Sequence, residues 1–160
     1  MKSIDLFRMT KTDFVSACFD GEGARLYGGR WNSKGLPCVY LGTSRAICVL
    51  ETLVHLNNEQ KLPLFSMLQL TVQEALVSTL DPSDWPKDWA QDPAPSSTKE
   101  IGDSWLSGCS SLILLVPSSV VSGEWNALFN PAHPAAKSIV STAKAIEFNL
   151  DPRLMKKGDA

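Results

Sequence analysis

An amphipathic stretch from Arg45 to Leu56 limits the possible folds of this 160-residue chain more than any other feature. Its apolar side chains recur at helical spacing, and Thr43 or Ser44 can cap the first turn through a hydroxyl oxygen. Asn57 and Asn58 are typical residues for the end of such a helix. An apolar stripe of this width must be buried against another layer of structure. The stripe is formed by Ala46, Ile47, Val49, Leu50, Leu53 and Val54.

Short apolar and β-branched runs, each bounded by turn residues, predict a sheet as that layer. In the run from Leu64 to Val72, regular pleating directs Leu68 to one face and Met67 to the other. A second helix is expected over residues 97–106, after a surface excursion from Asp81 to Ser97 that is rich in Pro, Trp, Asp and Ser. The predicted strands are Ile4–Met9, Cys38–Leu41, Leu64–Val72, Ser111–Val116, Trp125–Phe129 and Ala145–Phe148.

These elements together predict an α/β (α+β) fold, a single compact domain of short mixed strands and a few helices. The domain is expected to span residues 1–160, with a loose tail over about 150–160. Strand order does not follow from the sequence.

Composition argues against several classes of protein. The net charge is −2 and the Lys and Arg residues are scattered, so no nucleic-acid-binding surface is expected. The longest apolar stretches, such as Leu112 to Pro117, are far shorter than the ~18 residues that span a bilayer. Residues 1–9 lack the apolar core of a signal peptide, so we expect a soluble cytoplasmic protein. Four cysteines without C-x-x-C spacing predict reduced thiols and no metal site.

Glu51 occupies an unusual position for a carboxylate. At about 100° per residue it lies beside Ile47 and Val54, at the margin of the apolar stripe rather than on the polar back of the helix. A carboxylate there loses part of its hydration, which costs free energy unless a cation or hydrogen-bond donors meet it. The alternative is a solvated glutamate at the helix edge that contacts His55 one turn later.

The glycines of Asp20-Gly21-Glu22-Gly23 and Gly28-Gly29 predict a tight loop, because glycine permits tight turns. The segment Gly28-Gly29-Arg30-Trp31 can then bring a guanidinium and backbone N–H groups close to a ligand. Arginine suits bidentate contact with phosphate or carboxylate, and Arg8 and Arg25 lie in the same third of the chain. The segment matches neither a Walker loop nor a Rossmann loop. These arginines indicate an anion site of another type or, alternatively, surface ion pairs.

Tyr40 and Ser118 are further candidates, each with an ordinary structural alternative. The Tyr40 ring can stack on a nicotinamide or adenine ring, or it can pack in the core. Ser118 follows a buried strand, where serine is usually a turn or cap residue. It lies in no G-x-S-x-G sequence, and neither His55 nor His133 completes a readable Ser-His-acid set, so a serine hydrolase is not expected.

Segments spread over nearly the whole chain occur in the order and at the spacing of one known family. They are Phe7-Arg8, Gly23-Ala24-Arg25-Leu26-Tyr27-Gly28-Gly29-Arg30-Trp31-Asn32, Val39-Tyr40-Leu41, Leu50-Glu51-Thr52-Leu53-Val54-His55-Leu56, Val116-Pro117-Ser118-Ser119-Val120-Val121, Asn126, Leu128-Phe129-Asn130-Pro131 and His133-Pro134. With this ordered set the chain resembles the RES domain, which is named for its Arg, Glu and Ser residues. The excursion from Asp81 to Ser97 carries no assignable motif.

The resemblance implies a fold like that of ADP-ribosyltransferase toxins and an active site that binds NAD as a substrate, without a metal. Members of the family act as toxins that deplete NAD by hydrolysis or phosphorolysis, or that ADP-ribosylate a protein target. An Xre-type helix-turn-helix antitoxin holds them inactive, and we expect it to cover the NAD pocket. Whether the toxin also forms a homodimer stays open.

The resemblance also implies roles for individual residues. Glu51 would be the catalytic carboxylate, supported by Arg30. Arg8 and Arg30 would grip the pyrophosphate, Tyr40 would stack near the nicotinamide, and Ser118 would line the pocket through hydrogen bonds. The residues implied to contact NAD are Arg8, Arg25, Arg30, Trp31, Tyr40, Ser118 and Asn126.

Two other functions stay open. A protein-modifying ADP-ribosyltransferase would use the same pocket with a different acceptor. A non-catalytic interaction module would need no reaction, and a buried ion pair between Arg30 and Glu51 would then explain both residues. An open pocket between these residues would favour the enzyme, and a filled core would favour the interaction module.

Overall fold

Seven short strands pair into one sheet within residues 1–56 and 59–155, the parts of the chain that the computed structural model describes. The strands are β1 (Ser3–Lys11), β2 (Val39–Gly42), β3 (Phe65–Gln73), β4 (Val77–Thr79), β5 (Ile113–Pro117), β6 (Trp125–Phe129) and β7 (Lys144–Ile146). Their order across the sheet is β4-β5-β6-β2-β1-β3-β7. Neighbours are antiparallel except β4 and β5, which are parallel. The predicted mixed α/β fold of short strands is confirmed, and only β4 lacks a predicted counterpart.

Helices cover this sheet. Helix α2 (Arg45–His55) begins where the sequence predicts, because Ser44 Oγ accepts a 3.1 Å hydrogen bond from the Ile47 amide and caps the first turn. The predicted helix end at Asn57 and Asn58 lies outside the described residues. No helix in the described ranges combines the length and apolarity needed to cross a membrane. The α-helices are α1 (Glu22–Tyr27), α2 (Arg45–His55), α3 (Ser96–Gly108) and α4 (Ala136–Val140).

Each face of the sheet carries its own apolar core, as the alternation in β3 predicts. Leu68 packs with Leu6 on one face. Met67 points to the opposite face, where α2 packs over β1 and β2 through Val49. On that same face α3 packs against β5 and β6 through Trp105. Helices α2 and α3 thus share one face of the sheet, and the candidate site lies on it.

Residues 20–28 form a short helix where the sequence predicts a tight loop. Gly21 and Gly28 flank α1 with φ values of +74° and +73°, so these glycines cap the helix instead of breaking it. Asp20 Oδ1 also accepts a 2.8 Å hydrogen bond from the Glu22 amide at the helix start. The prediction was wrong because glycine at both ends of one short helix has the same local signature as a glycine-rich loop.

The junction between β1 and β2 is the weakest connection near the centre of the sheet. It is made by one residue pair, Phe7 opposite Gly42, whereas β1 pairs with β3 through nine. We call this junction the seam. A hydrogen bond of 3.1 Å from Arg8 Nη1 to the Tyr40 carbonyl oxygen reaches from β1 to β2 beside it. The seam therefore places a cationic side chain where a continuous sheet would have only backbone pairing.

Candidate active site

Glu51 is the centre of a hydrogen-bonded cluster that joins α2 to the ends of β5 and β6. Its Oε1 accepts hydrogen bonds from Ser118 Oγ at 2.8 Å and from Asn126 Nδ2 at 2.6 Å. Asn126 lies on β6 directly opposite Gly42 on β2 and Val116 on β5. Directly opposite residues point to the same face, so the sheet presents Asn126 to the face that α2 covers. The structure thus brings together three of the predicted site residues.

Gly42 permits this close approach of the helix. A Cβ atom at that position would lie 2.6 Å from Cys48 Sγ and 2.6 Å from Ile47 Cγ2, closer than side-chain contacts allow. Cys48 also donates a hydrogen bond of 3.1 Å to the Phe7 carbonyl oxygen, which anchors α2 to β1. Burial raises the pKa of the Cys48 thiol to about 11, so this neighbour of Glu51 stays protonated at neutral pH.

Ser118 is both a turn residue and a partner of the carboxylate. Its Oγ accepts hydrogen bonds from the amides of Val120 and Val121, each at 3.1 Å. These two bonds occupy the acceptor sites of the hydroxyl and leave its proton for Glu51. The side chain is only 2% exposed. Ser118 therefore fixes the carboxylate from a rigid turn, and its place in the lining of a substrate pocket stays a prediction.

Two acceptor atoms in the cluster have no donor. Among residues 1–56 and 59–155, nothing donates a hydrogen bond to Glu51 Oε2. Asn126 Oδ1 is buried and has no partner in the same ranges. A buried acceptor without a donor costs free energy, and native structures contain few of them. The half-buried carboxylate thus offers Oε2 to a ligand that carries donors or positive charge, and Asn126 Oδ1 is a buried acceptor beside it, unpaired within those ranges.

Arg8 is held by the backbone on the other side of the seam. Its Nη1 donates to the Tyr40 carbonyl oxygen at 3.1 Å and its Nε to the Cys18 carbonyl oxygen at 3.4 Å. Because alternate residues of a strand point to the same face, Arg8 lies on the same face of the sheet as Leu6, which is opposite to the face covered by α2. Burial lowers the pKa of Arg8 from its ordinary value, because desolvation disfavours the charged form. Both of its bonded partners are neutral carbonyl groups.

Tyr40 braces the loop that contains Trp31. Its hydroxyl donates to Asn32 Oδ1 at 2.7 Å and accepts from the Trp31 amide at 3.0 Å. Burial raises the pKa of Tyr40 well above its ordinary value. Trp31 is 2% exposed and packs in the core beneath α3. The predicted contacts of these two rings with a ligand stay predictions, and the structure gives each ring a structural role as well.

Arg30 connects this loop to the excursion that carries no assignable motif. Its Nη1 donates to the carbonyl oxygens of Trp89 at 3.0 Å and Gln91 at 2.7 Å. Its own carbonyl oxygen accepts from Thr98 Oγ1 at 2.6 Å, at the start of α3. Within the described part of the chain, Nε and Nη2 have no hydrogen-bond partner. Arg30 therefore keeps part of its guanidinium for an anion while it ties down the excursion.

Arg25 forms a surface ion pair, which was the alternative to an anion site for the arginines. It forms an exposed ion pair with Glu22 at 2.6 Å on α1. Within residues 1–56 and 59–155 the other ion pair joins Arg153 to Asp151. No ion pair joins Arg30 to Glu51, so mutual ion pairing does not explain these two residues.

Sequence reasoning missed the contribution of Trp85 and Trp89. Both are half-buried, and the Trp89 backbone receives Arg30. The signal was the unusual density of tryptophan between residues 81 and 97, which we interpreted as surface composition. The sequence also did not reveal an apolar cavity of about 420 Å³ on the other side of α2, lined in part by Leu50 and Leu150.

Comparison with known proteins gives a consistent assignment. A family model described as RES domain matches residues 5–151. The chain is 41% identical to Toxin Res of Yersinia enterocolitica, covering 93% of this chain and 98% of that protein. It is 39% identical to the Prs ADP-ribosylating toxin of a Sphingobium strain, covering 86% of each. One chain in the crystal structure of the M. tuberculosis MbcT-MbcA toxin-antitoxin complex shares the fold, with a TM-score of 0.71, 22% identity, and coverage of 96% of this chain and 87% of that chain.

Proposed function

The chain belongs to the RES domain family, and on this premise we propose that it is a toxin that binds NAD and cleaves the bond between nicotinamide and ribose. The observation that carries the proposal is the Glu51 carboxylate, held at Oε1 by Ser118 and Asn126 while Oε2 has no donor among the described residues. The names of the relatives and the resemblance to NAD-consuming toxins support the same function. Depletion of cellular NAD by hydrolysis or phosphorolysis is the consequence that we propose.

Glu51 would act on the ribose as positive charge develops there. When the bond between C1′ and the nicotinamide nitrogen breaks, its electron pair leaves with nicotinamide and the ribose gains oxocarbenium character. A carboxylate that is already fixed stabilises this charge without first having to reorient. An acceptor oxygen then forms the new bond to C1′, and any proton it carries passes to Glu51 or to solvent.

The arginines would bind the other end of the reacting unit. Arg30 has Nε and Nη2 free of partners among the described residues, which is the fork that binds a phosphate through two hydrogen bonds. Arg8 lies on the opposite face of the sheet from Glu51, and the resemblance implies that it adds a second cation. Tyr40 would stack near the nicotinamide. Because Arg25 is paired with Glu22 and Trp31 is buried, we expect smaller contributions from these two residues.

The acceptor separates two candidate reactions. Water or phosphate would give free ADP-ribose or its phosphorylated form, and a protein acceptor would give a modified target. A specific observation favours the second candidate, since a relative with 39% identity is named an ADP-ribosylating toxin. Both reactions share the cleavage step and differ only in the nucleophile that reaches C1′.

A partner protein and a location complete the proposal. A toxin that consumes NAD has to be neutralised in the cell that makes it, and the resemblance implies an Xre-type helix-turn-helix antitoxin that covers the active site. We propose this antitoxin as the partner, with a homodimer of the toxin as an additional assembly. The cytoplasm is the proposed location, since NAD and the antitoxin would both be available there.

The decisive experiment follows the products of NAD directly. Antitoxin-free protein is incubated with NAD, with and without phosphate, and the products are identified by mass spectrometry. We expect the wild-type protein to release nicotinamide and Glu51→Gln to lose at least about a hundredfold in turnover, with a much smaller change in apparent NAD affinity. The second product identifies the acceptor.

Glu74→Gln is the matched control, because Glu74 is exposed between β3 and β4 and makes the same change of charge. Equal NAD consumption by Glu51→Gln and the wild-type protein would remove the proposed role of Glu51. Intact NAD in every reaction, with or without a cell lysate as a source of acceptors, would contradict the proposed cleavage of NAD.

A further inference from the structure

Three tryptophans form a continuous row of ring contacts on the molecule. The rings of Trp85 and Trp89 meet edge-on with centroids 5.2 Å apart, and those of Trp85 and Trp125 meet edge-on at 5.8 Å. All three residues are half-buried. Tryptophan buries a large apolar area when it can, and a partly exposed cluster of three is typical of a binding surface.

Trp89, at one end of this row, lies on the same face of the sheet as Glu51. Trp89 packs on the apolar cluster that contains Val116 and Tyr40. Val116 lies directly opposite Asn126, which holds the Glu51 carboxylate. Tyr40 lies two residues before Gly42 on β2, and Gly42 also faces Asn126. The segment that carries no assignable motif thus packs on the apolar cluster of the face that also carries the Glu51 carboxylate.

The segment is held in place by specific hydrogen bonds. Arg30 Nη1 binds the carbonyl oxygens of Trp89 and Gln91, and Trp85 Nε1 donates to the Leu80 carbonyl oxygen at 3.2 Å. Ser97 Oγ donates to Asp88 Oδ1 at 2.6 Å and closes the segment against α3. A binding surface that is fixed in advance loses less entropy when a ligand arrives.

We propose that Trp85 and Trp89 form an aromatic wall of the substrate site, which receives a planar heteroaromatic ring of the dinucleotide. The proposal rests on the proposed function, because it takes NAD as the ligand. Arg30 links the two halves of recognition: Nη1 holds the backbone of the wall, while Nε and Nη2 have no partner among the described residues and would bind an anion. A ligand that carries a flat ring beside a phosphate matches this pair of features.

The test compares steady-state kinetics of tryptophan variants. We expect Trp89→Ala and Trp85→Ala to raise the KM for NAD at least about tenfold while kcat changes less than threefold, because stacking contributes to binding. Trp89→Phe should recover most of the affinity, which a purely structural role would not predict. Phe14→Ala is the control, since Phe14 is an exposed aromatic residue in the turn after β1. A KM within twofold of wild type in both alanine variants would overturn the wall.

A binding measurement keeps the proposal testable if an alanine variant fails to fold or if the wild type releases no nicotinamide. Tryptophan fluorescence of Glu51→Gln, which keeps every tryptophan, is titrated with NAD, ADP-ribose and nicotinamide. Saturable quenching whose amplitude falls in the Glu51→Gln, Trp89→Phe double variant supports the wall, and an unchanged amplitude in that variant counts against it. Quenching by ADP-ribose assigns the adenine ring, and quenching that requires NAD or nicotinamide assigns the nicotinamide ring. No quenching by any of the three ligands overturns the wall.

Discussion

The carboxylate and the arginines of the site are held in the same way despite their opposite charges. Glu51 receives hydrogen bonds from a neutral hydroxyl and a neutral amide, and Arg8 and Arg30 donate to neutral backbone carbonyls. The exposed pair of Arg25 and Glu22 differs, because there each charge neutralises the other. In the site, dipoles fix the positions of the charges and leave the charges themselves uncancelled.

This difference shows what kind of ligand the site accommodates. An uncancelled charge that has lost part of its hydration is costly, and the cost falls when a ligand brings the opposite charge. A dinucleotide carries two negative phosphates and develops positive charge on a ribose during cleavage. The proposed substrate therefore supplies negative charge to the arginines and positive charge to Glu51, and among the described residues of the site the protein supplies neither partner.

The largest effect is expected from a second negative charge placed beside the Glu51 carboxylate. Asn126→Asp replaces the 2.6 Å donor to Glu51 Oε1 by an acceptor of like charge. We expect kcat for NAD to fall by about a hundredfold or more, since the reacting carboxylate loses its fixed position. Steady-state nicotinamide release measures the effect, with Asn149→Asp in an exposed position as the control. A kcat within threefold of wild type would show that Asn126 does not position Glu51.

A pH series sharpens the comparison on the arginine side. Burial lowers the pKa of Arg8, yet arginine keeps its charge in proteins. The pKa of a lysine is ~10.4 in water, and full burial can lower that pKa by about 3–5. For Arg8→Lys we therefore expect the ratio of variant to wild-type KM to rise about tenfold between roughly pH 6 and 9, as the lysine becomes neutral. A constant ratio would mean that the charge of residue 8 does not bind the substrate.

The smallest effect is expected where two charges already cancel. Arg25→Gln removes a guanidinium that is exposed and paired with Glu22, so we expect the KM for NAD to change less than twofold. The same kinetic assay measures it, and Glu22→Gln should match it. A tenfold rise in the KM for NAD in Arg25→Gln alone would show that Arg25 contacts the substrate, as the sequence resemblance implies.

Elements whose signals are local were predictable from the sequence. The hydroxyl cap at Ser44, the apolar stripe of α2 and the alternation in β3 each act over a few residues, and the structure has all three. The marginal position of Glu51 on its helix also indicated a carboxylate that needs donors, and two donors meet it. The three-residue strand β4 is too short for alternation to appear, and α1 was obscured by its flanking glycines.

The remaining features depend on contacts between distant residues. Ser118 and Asn126 are 67 and 75 positions from Glu51, and no local pattern announces that both donate to one oxygen. Arg30 reaches carbonyl groups 59 and 61 positions away. The sequence could nominate these residues through a resemblance, but their hydrogen bonds follow from strand order, which only the folded chain reveals.

The seam between β1 and β2 gives the sheet a direction of low stiffness. The ladders on either side are joined by many hydrogen bonds, but across the seam the two strands share one residue pair, the hydrogen bond from Arg8 to the Tyr40 carbonyl oxygen and the apolar packing around Leu6 and Leu41. Apolar packing has no preferred direction, so small sliding movements cost little there. Arg8 crosses this line, since it lies on β1 and is hydrogen-bonded to β2, whereas both donors of Glu51 lie together on the β2 side. A sliding movement at the seam would therefore act on the Arg8 hydrogen bond, and the hydrogen bonds of the carboxylate would lie outside it.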